Sequence, residues 1–218
     1  MRIGIIGTGV VGQTLGSKLV SLGHQVTLGS RDKDNEKGLA WAAQAGPDAH
    51  AGTFAEAAAF GEVVLNATGG TVALAALRAA GAEHLAGKLL VDVSNPLVFE
   101  PGGQVTLDPV NTDSVGERIQ REFPEARVVK TLNTVNCEVM VEPGRLSGEH
   151  NVFVAGDDAA AKAEAVALLG AFGWPAEWII DLGDISGARA MEMLMPFWLR
   201  MMRHFGDAEF NYAFRRPA

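Results

Sequence analysis

The sequence predicts an α/β fold, with a doubly wound, mostly parallel sheet and a short helical C-terminal part. Three observations carry that prediction. Short apolar runs rich in Val, Ile and Leu recur along the chain, as strands buried on both faces require. Alanine-rich stretches with helical start and stop signals lie between them. The first strand also runs straight into a glycine-rich turn that opens a helix, which begins a βαβ unit. Strand and helix alternating in this way build a parallel sheet covered on both faces.

Arg2-Ile3-Gly4-Ile5-Ile6 reads as the first strand, Gln13 to Leu22 as a helix closed by Gly23, and His24 to Leu28 as the second strand. Between the first two lies Gly7-Thr8-Gly9-Val10-Val11-Gly12. A G-x-G-x-x-G in that position is the dinucleotide fingerprint of a Rossmann-type unit. Gly7 permits the tight turn, Gly9 lets a pyrophosphate approach the backbone, and Gly12 lets helix and strand pack closely. Gly7, Thr8, Gly9, Val10 and Val11 are expected to hold the pyrophosphate at the positive end of the new helix.

The end of the second strand distinguishes the two nicotinamide dinucleotides. An NAD site places Asp or Glu there, to bind the ribose 2′-hydroxyl. This chain has Gly29-Ser30-Arg31, with Lys33 close behind. A carboxylate repels a 2′-phosphate, whereas a hydroxyl and a guanidinium bind one through charge-assisted hydrogen bonds. The expected cofactor is therefore NADP(H), with Ser30 and Arg31 on its 2′-phosphate and Lys33 as an auxiliary cation. The alternative makes Arg31 a solvated loop charge, partly neutralised by Asp32 and Asp34.

Further along, Asp34 is expected to cap a helix ending at Ala45 before Gly46-Pro47, with a short strand over Ala49 to Gly52. Thr53 and Glu56 form a capping box for the next helix. Strands follow at Glu62 to Asn66, Lys88 to Val93 and Arg127 to Leu132. Leu97 to Asp113 reads as a long Pro- and Gly-bearing loop able to fold over a ligand, and Ser114 caps a helix to Phe123. Ligands of such sheets bind beyond the carboxyl ends of the strands. Those ends carry Ala67-Thr68, Ser94-Asn95-Pro96 and Asn133-Thr134, the candidates for the nicotinamide half.

Residues 1–148 form the expected dinucleotide-binding domain and 149–218 a small extension packed on it. The extension contains strands at Asn151 to Gly156 and Glu177 to Asp181. A helix capped by Asp157 or Asp158 lies between them and stops at Gly173. Ser186 to Phe205 then reads as one long helix dense in Met and aromatics, kinked or broken by Pro196. A helix apolar on most sides is buried in the core or in a dimer interface, so a homodimer through Met191 to Met202 is expected. A ring-stacking platform is the second reading.

At 48% hydrophobic and 20% charged residues, the composition is that of a globular domain. A net charge of −8 excludes nucleic acid or an anionic membrane as the main partner. The single cysteine, Cys137, forbids an intrachain disulfide and suits a reducing cytoplasm, and is expected to be a small buried thiol. The first residues enter a strand without a signal-peptide pattern, and no apolar stretch is long enough to span a bilayer. His24, His50, His84, His150 and His204 are scattered, with no metal-ligand spacing and no paired Cys. No nucleophile elbow and no general acid or base is evident. Direct hydride transfer needs none of these, because it depends on positioning, here by Asn133 and Thr134.

Ile5-Ile6-Gly7-Thr8-Gly9-Val10-Val11-Gly12, Gly29-Ser30-Arg31 and Val129-Lys130-Thr131-Leu132-Asn133-Thr134 resemble the NADPH-dependent reductases of coenzyme F420, a deazaflavin, and their bacterial dinucleotide-binding relatives. The resemblance spans nearly the whole chain. It implies 2′-phosphate contacts at Thr8, Ser30 and Arg31, and direct hydride passage between NADP(H) and F420. Related domains in membrane metalloreductases pass hydride to a flavin, so FMN or FAD stands beside F420 as the small-molecule co-substrate. Two other readings stay open: a reductase of a small carbonyl or imine, and a non-catalytic NADP(H)-sensing or interaction protein.

Overall fold

The computed structural model describes residues 1–215 and 217. Among the described residues there are ten strands: β1 (Arg2–Ile6), β2 (Gln25–Ser30), β3 (Ala49–Thr53), β4 (Val63–Asn66), β5 (Leu89–Asp92), β6 (Leu97–Phe99), β7 (Val105–Leu107), β8 (Arg127–Thr131), β9 (Val152–Ala155) and β10 (Ile179–Asp181). The first helices are α1 (Val10–Ser21), α2 (Glu36–Ala45), α3 (Phe54–Phe60), α4 (Gly70–Ala80) and α5 (Ala82–Leu85). They are followed by α6 (Val115–Glu122), α7 (Cys137–Val141), α8 (Ala159–Phe172), α9 (Ala188–Met193) and α10 (Met195–Phe205).

Eight strands form one sheet in the order β10-β9-β8-β5-β4-β1-β2-β3. β1 lies centrally, parallel to β2 and to β4, with Ile3 level with Val26 on one side and Val63 on the other. Order therefore reverses at β1, which opens a crevice at its carboxyl end. β8 and β9 are antiparallel, while β9 and β10 are again parallel. The segment from β8 to β9 need not cross the sheet, because an antiparallel neighbour starts at the edge where its partner ends.

Alternate residues of the strands feed two cores. Ile3, Ile5 and Leu28 meet Leu15 and Leu19 of α1, Trp41 of α2, and Leu168, Leu169 and Phe172 of α8. Ile6, Val64 and Leu90 meet Phe54 of α3, Leu77 of α4 and Ile119 of α6 on the other face. Both faces are covered, as the apolar strands require. No helix among the described residues is long and apolar enough to cross a membrane.

Three local expectations are corrected. Asn35, not Asp34, caps α2, its side chain accepting from Gly38 N, while Asp34 donates its own backbone N–H to Asp32. The segment read as a loop over Leu97 to Asp113 contains the antiparallel hairpin β6–β7. The Met-rich stretch is broken, as expected from Pro196, into two helices separated at Leu194, with Pro196 in the first turn of α10; what is corrected is its burial. A proline there loses no intrahelical bond, so the break falls just before it. Of its methionines, Met191 and Met195 are buried; most of α10 lies at the surface, so a fully buried helix is not what forms. The Thr53–Glu56 capping box, the Ser114 and Asp158 caps and the left-handed Gly173 stop appear as expected.

His150 is a satisfied core histidine. Its Nε2–H donates to Pro143 O at 3.0 Å, Nδ1 accepts from Asn211 Nδ2 at 2.8 Å, and Trp174 and Trp178 flank the ring. Burial pushes its pKa below 6.5, against the opposing bond to Pro143 O. The unfolded chain then binds a proton that the folded chain refuses, so stability falls as pH drops below 6.5. His24 shifts the same way through burial and the N-terminal charge. We expect Tm to decline from pH 6.5 to about 5, above the carboxylate range, and His150→Gln to flatten part of that slope; an unaltered slope removes His150 as its cause.

Candidate functional site

At the carboxyl end of β1 the chain turns at Gly7, whose φ of +124° is accessible to glycine alone. A Cβ there would lie 2.7 Å from Ala67 O, and a Cβ at Gly12 would lie 2.4 Å from Gly7 O. The start of α1 is thus pressed onto the turn, closer than any side chain permits. Beside Gly9, by contrast, a Cβ would meet nothing within 4 Å, so that face of the turn is open. Gly9 caps α1 without a side-chain bond, leaving the first-turn N–H groups available to an anion. Val10 is 71% exposed there, while Val11 is half-buried against the core, so it offers only its backbone.

Gly7 N donates to Gly29 O at 2.9 Å, which brings the end of β2 beside the turn. A cavity of about 510 Å³ opens there, lined by Gly7, Thr8, Ser30, Arg31 and Thr68 from the expected set. Sequence reading missed other parts of its wall: the polar Asp32 and Asn35, and the apolar Phe54, Val72 and Ala76. Ser30 is buried, and its hydroxyl donates to Asp32 O, shaping the bend that carries Arg31. Arg31 is exposed and, among the described residues, has no ion pair. Neither Asp32 nor Asp34 forms an ion pair with it among the described residues, and Asp32 lines the same cavity.

Lys33 borders none of these cavities. Its charge instead acts on Glu56, whose carboxyl is held below its ordinary range first by the Thr53 backbone N–H and side chain and last by Lys33. Lys37, on the first turns of α2, lines a smaller cavity of about 430 Å³ with Thr8 and Gly9. The signal that could have found it is the register of α2, which points its N-terminal turn at the glycine loop.

At the far end of the crevice, the ends of β4, β5 and β8 are joined by buried polar groups. Thr68 Oγ1 donates to Asn66 Oδ1 at 2.7 Å, and Asn66 Nδ2 donates to Asp92 Oδ1 at 2.8 Å. Lys130 Nζ lies 2.7 Å from Asp92 Oδ2, 2.6 Å from Ser94 O and 2.8 Å from Glu192 Oε1. Glu192 also accepts from Val115 N and Gly116 N, at the start of α6. Burial alone would discharge Lys130, yet Asp92 and Glu192 outweigh it and raise its pKa above the lysine value. This ion cluster was not read from the sequence, because its members are separated by 38 and 62 positions.

Asn95 and Asn133 bond reciprocally: Asn95 Nδ2 donates to Asn133 O at 2.8 Å and Asn133 Nδ2 to Asn95 Oδ1 at 2.9 Å. Leu132, between β8 and Asn133, has φ +61°, and Asn133 N bonds back to Thr131 O at 2.8 Å. A bulky residue in such a γ-turn is strained, and strain of this kind collects at ligand sites. Ser94 Oγ, Asn133 Oδ1 and Thr134 Oγ1 are buried with no protein partner among the described residues. Native structures leave few such atoms orphaned; polar atoms of this kind at strand ends fit a ligand with its own donors and acceptors, such as a carboxamide. Pro96 is buried beside them. Cys137 is half-buried at the start of α7 rather than a fully buried thiol.

Free N–H groups, a glycine cradle and an unpaired guanidinium suit a phosphorylated dinucleotide. Comparison with known proteins agrees. The family described as NADP oxidoreductase coenzyme F420-dependent matches residues 2–96. The metalloreductase STEAP3 of Rattus norvegicus is 29% identical over 201 residues, which cover 90% of this chain and 38% of that protein. The crystal structure of a proposed F420-dependent NADP reductase from Arthrobacter sp. FB24 is 51% identical, with a TM-score of 0.93, over 99% of this chain and 100% of the other. An imine reductase from Streptomyces aurantiacus shares the fold at 20% identity and a TM-score of 0.65, over 94% of this chain and 64% of the other.

Fold, glycine turn and relatives define an NADP-dependent oxidoreductase. The chain belongs to the family of coenzyme F420-dependent NADP oxidoreductases.

Lys130→Met leaves Asp92 and Glu192 buried without a counter-charge, and the expected loss is about 3–5 kcal/mol in denaturant unfolding. Adding Asp92→Asn and Glu192→Gln recovers much of it. An unchanged midpoint for Lys130→Met would show that the cluster is not ionised.

Proposed function

We propose that this chain transfers hydride between NADP(H) and a deazaflavin or flavin, coenzyme F420 or FMN/FAD. The observation that carries the reading is Arg31, an unpaired guanidinium on the wall of the cavity that begins at the glycine turn. In the proposal, the N–H groups of Val10, Val11 and Gly12 hold the pyrophosphate, with Gly7, Thr8 and Gly9 shaping its bed. Ser30 and Arg31 take the 2′-phosphate, with Lys37 replacing Lys33 as the nearby cation. Ala67, Thr68, Ser94, Asn95, Pro96, Asn133 and Thr134 orient the nicotinamide end. Bound NADPH supplies the hydride.

The chain's own contribution is then geometric. The reciprocal Asn95–Asn133 bonds fix the spacing of the β5 and β8 ends, and Lys130 locks Ser94 O beneath them. Holding two reacting rings in register is worth many orders of magnitude without a side-chain acid. A homodimer through α10 is part of the proposal, because Phe197 and Phe205 are 55% and 52% exposed. A monomeric mass by light scattering at micromolar concentration would remove that part.

Arg31→Ala is expected to cost NADPH binding about 1.5–3 kcal/mol while leaving NADH binding nearly unchanged, by calorimetric titration. Equal losses for both would place the 2′-phosphate elsewhere. Steady-state assays of NADPH with F420 and with FMN test the acceptor; no turnover with either rejects this reading.

A further inference from the structure

Eight of the eleven arginines among the described residues are paired with carboxylates, as an excess of acidic side chains allows. Three are not: Arg31, Arg200 and Arg203. The last two lie three residues apart on one face of α10, and both line a cavity of about 450 Å³. Its opposite wall is the tip of the β6–β7 hairpin, Gly102 to Val105, and its floor is Pro196 and Leu199.

Like charges at this helical spacing repel each other. In a chain of net charge −8, nearby carboxylates could have relieved that repulsion, as they do elsewhere. Arg203 stands in the last turn, where a cation suits the helix dipole. Arg200 stands a turn earlier and gains little from it, and the dipole does not explain the hairpin tip facing both. Two forked guanidiniums side by side on one wall of a concavity match the oxygens of a phosphate or carboxylate.

The hairpin connects this cavity to the strand ends. β6 begins at Leu97, immediately after Ser94-Asn95-Pro96. The path from Pro96 to Gly102 spans at most about 20 Å, the scale of a three-ring chromophore carrying a sugar-alcohol chain and an anionic tail. Resting on the acceptor reading above, we infer that Arg200 and Arg203 form an anion subsite for the acceptor's tail, its phosphate or its carboxylates. The acceptor is on this inference a tailed molecule, and the tail sets affinity rather than chemistry.

The test is fluorescence titration of the NADP⁺-saturated protein with F420, with the same deazaflavin lacking its phosphodiester-glutamyl tail, with FMN and with riboflavin. Wild type and the Arg200→Gln/Arg203→Gln double variant are compared, with NADPH–acceptor kinetics on the same samples. The expected result is a tailed form bound about tenfold or more tighter than its tail-less counterpart, the worth of one charge-assisted contact. The double variant loses that preference while its NADPH affinity and tail-less binding stay unchanged. Preference for FMN assigns the subsite to a terminal phosphate; preference confined to F420 assigns it to the longer carboxylate-bearing tail. Equal binding of tailed and tail-less forms, no binding of any of the four, or a preference that survives in the variant overturns the subsite. Tail-dependent binding without turnover would remove the acceptor reading and keep the subsite. Turnover with a KM indifferent to tail and variant would do the reverse.

Discussion

Lys130 Nζ sits 2.7 Å from Asp92 and 2.8 Å from Glu192, with none of the three side chains more than 2% exposed. The carboxyl ends of β4, β5 and β8 are tied to this contact. Through Asp92 it reaches Asn66 and Thr68, and through the Ser94 carbonyl it sets the strand end that carries Asn95 and Pro96. Through Glu192 it holds α9 against the start of α6. A buried ion pair is poor evidence of stability, since desolvation costs much of what attraction returns. Its value here is positional: removing one member strands the others, so the edge is assembled in one arrangement or not at all.

Charge is distributed with the same economy elsewhere. Glu117, buried beside this cluster, holds Arg189 and accepts from Ser114 Oγ. Asp113 gathers both Arg118 and Arg121. On exposed pairs of this kind the energy is small, and their effect is to give eight of the eleven described guanidiniums a carboxylate. The guanidiniums that remain stand out for that reason, at the end of β2 and on α10. In an acidic protein such groups make local islands of positive potential against the field of the whole.

The features legible in the sequence were those governed by near neighbours. The Thr53–Glu56 capping box, the Asp158 cap and the Gly173 stop depend on residues within a turn of one another, and each is where local pattern placed it. The glycine turn was legible because strand, turn and helix are consecutive. Misreadings came where a neighbour competes. Asp34 and Asn35 are both good caps, and the bend set by Ser30 and Asp32 gives the position to Asn35. The choice between Lys33 and Lys37 as the cation after Arg31 belongs to the proposal, in which the register of α2 favours the one beside Gly9.

By itself, the sequence determined the alternation of buried strands and helices, the Rossmann-type glycine turn and the absence of a carboxylate at the end of β2. Each rests on residues contiguous in the chain, where backbone geometry and side-chain period act directly. Only the tertiary structure decided which distant groups meet: Lys130 with Asp92 and Glu192, Asn95 with Asn133, and Arg200 and Arg203 with the hairpin tip. Those contacts join segments far apart in sequence, and their energies depend on burial and on excluded partners. No local pattern encodes either.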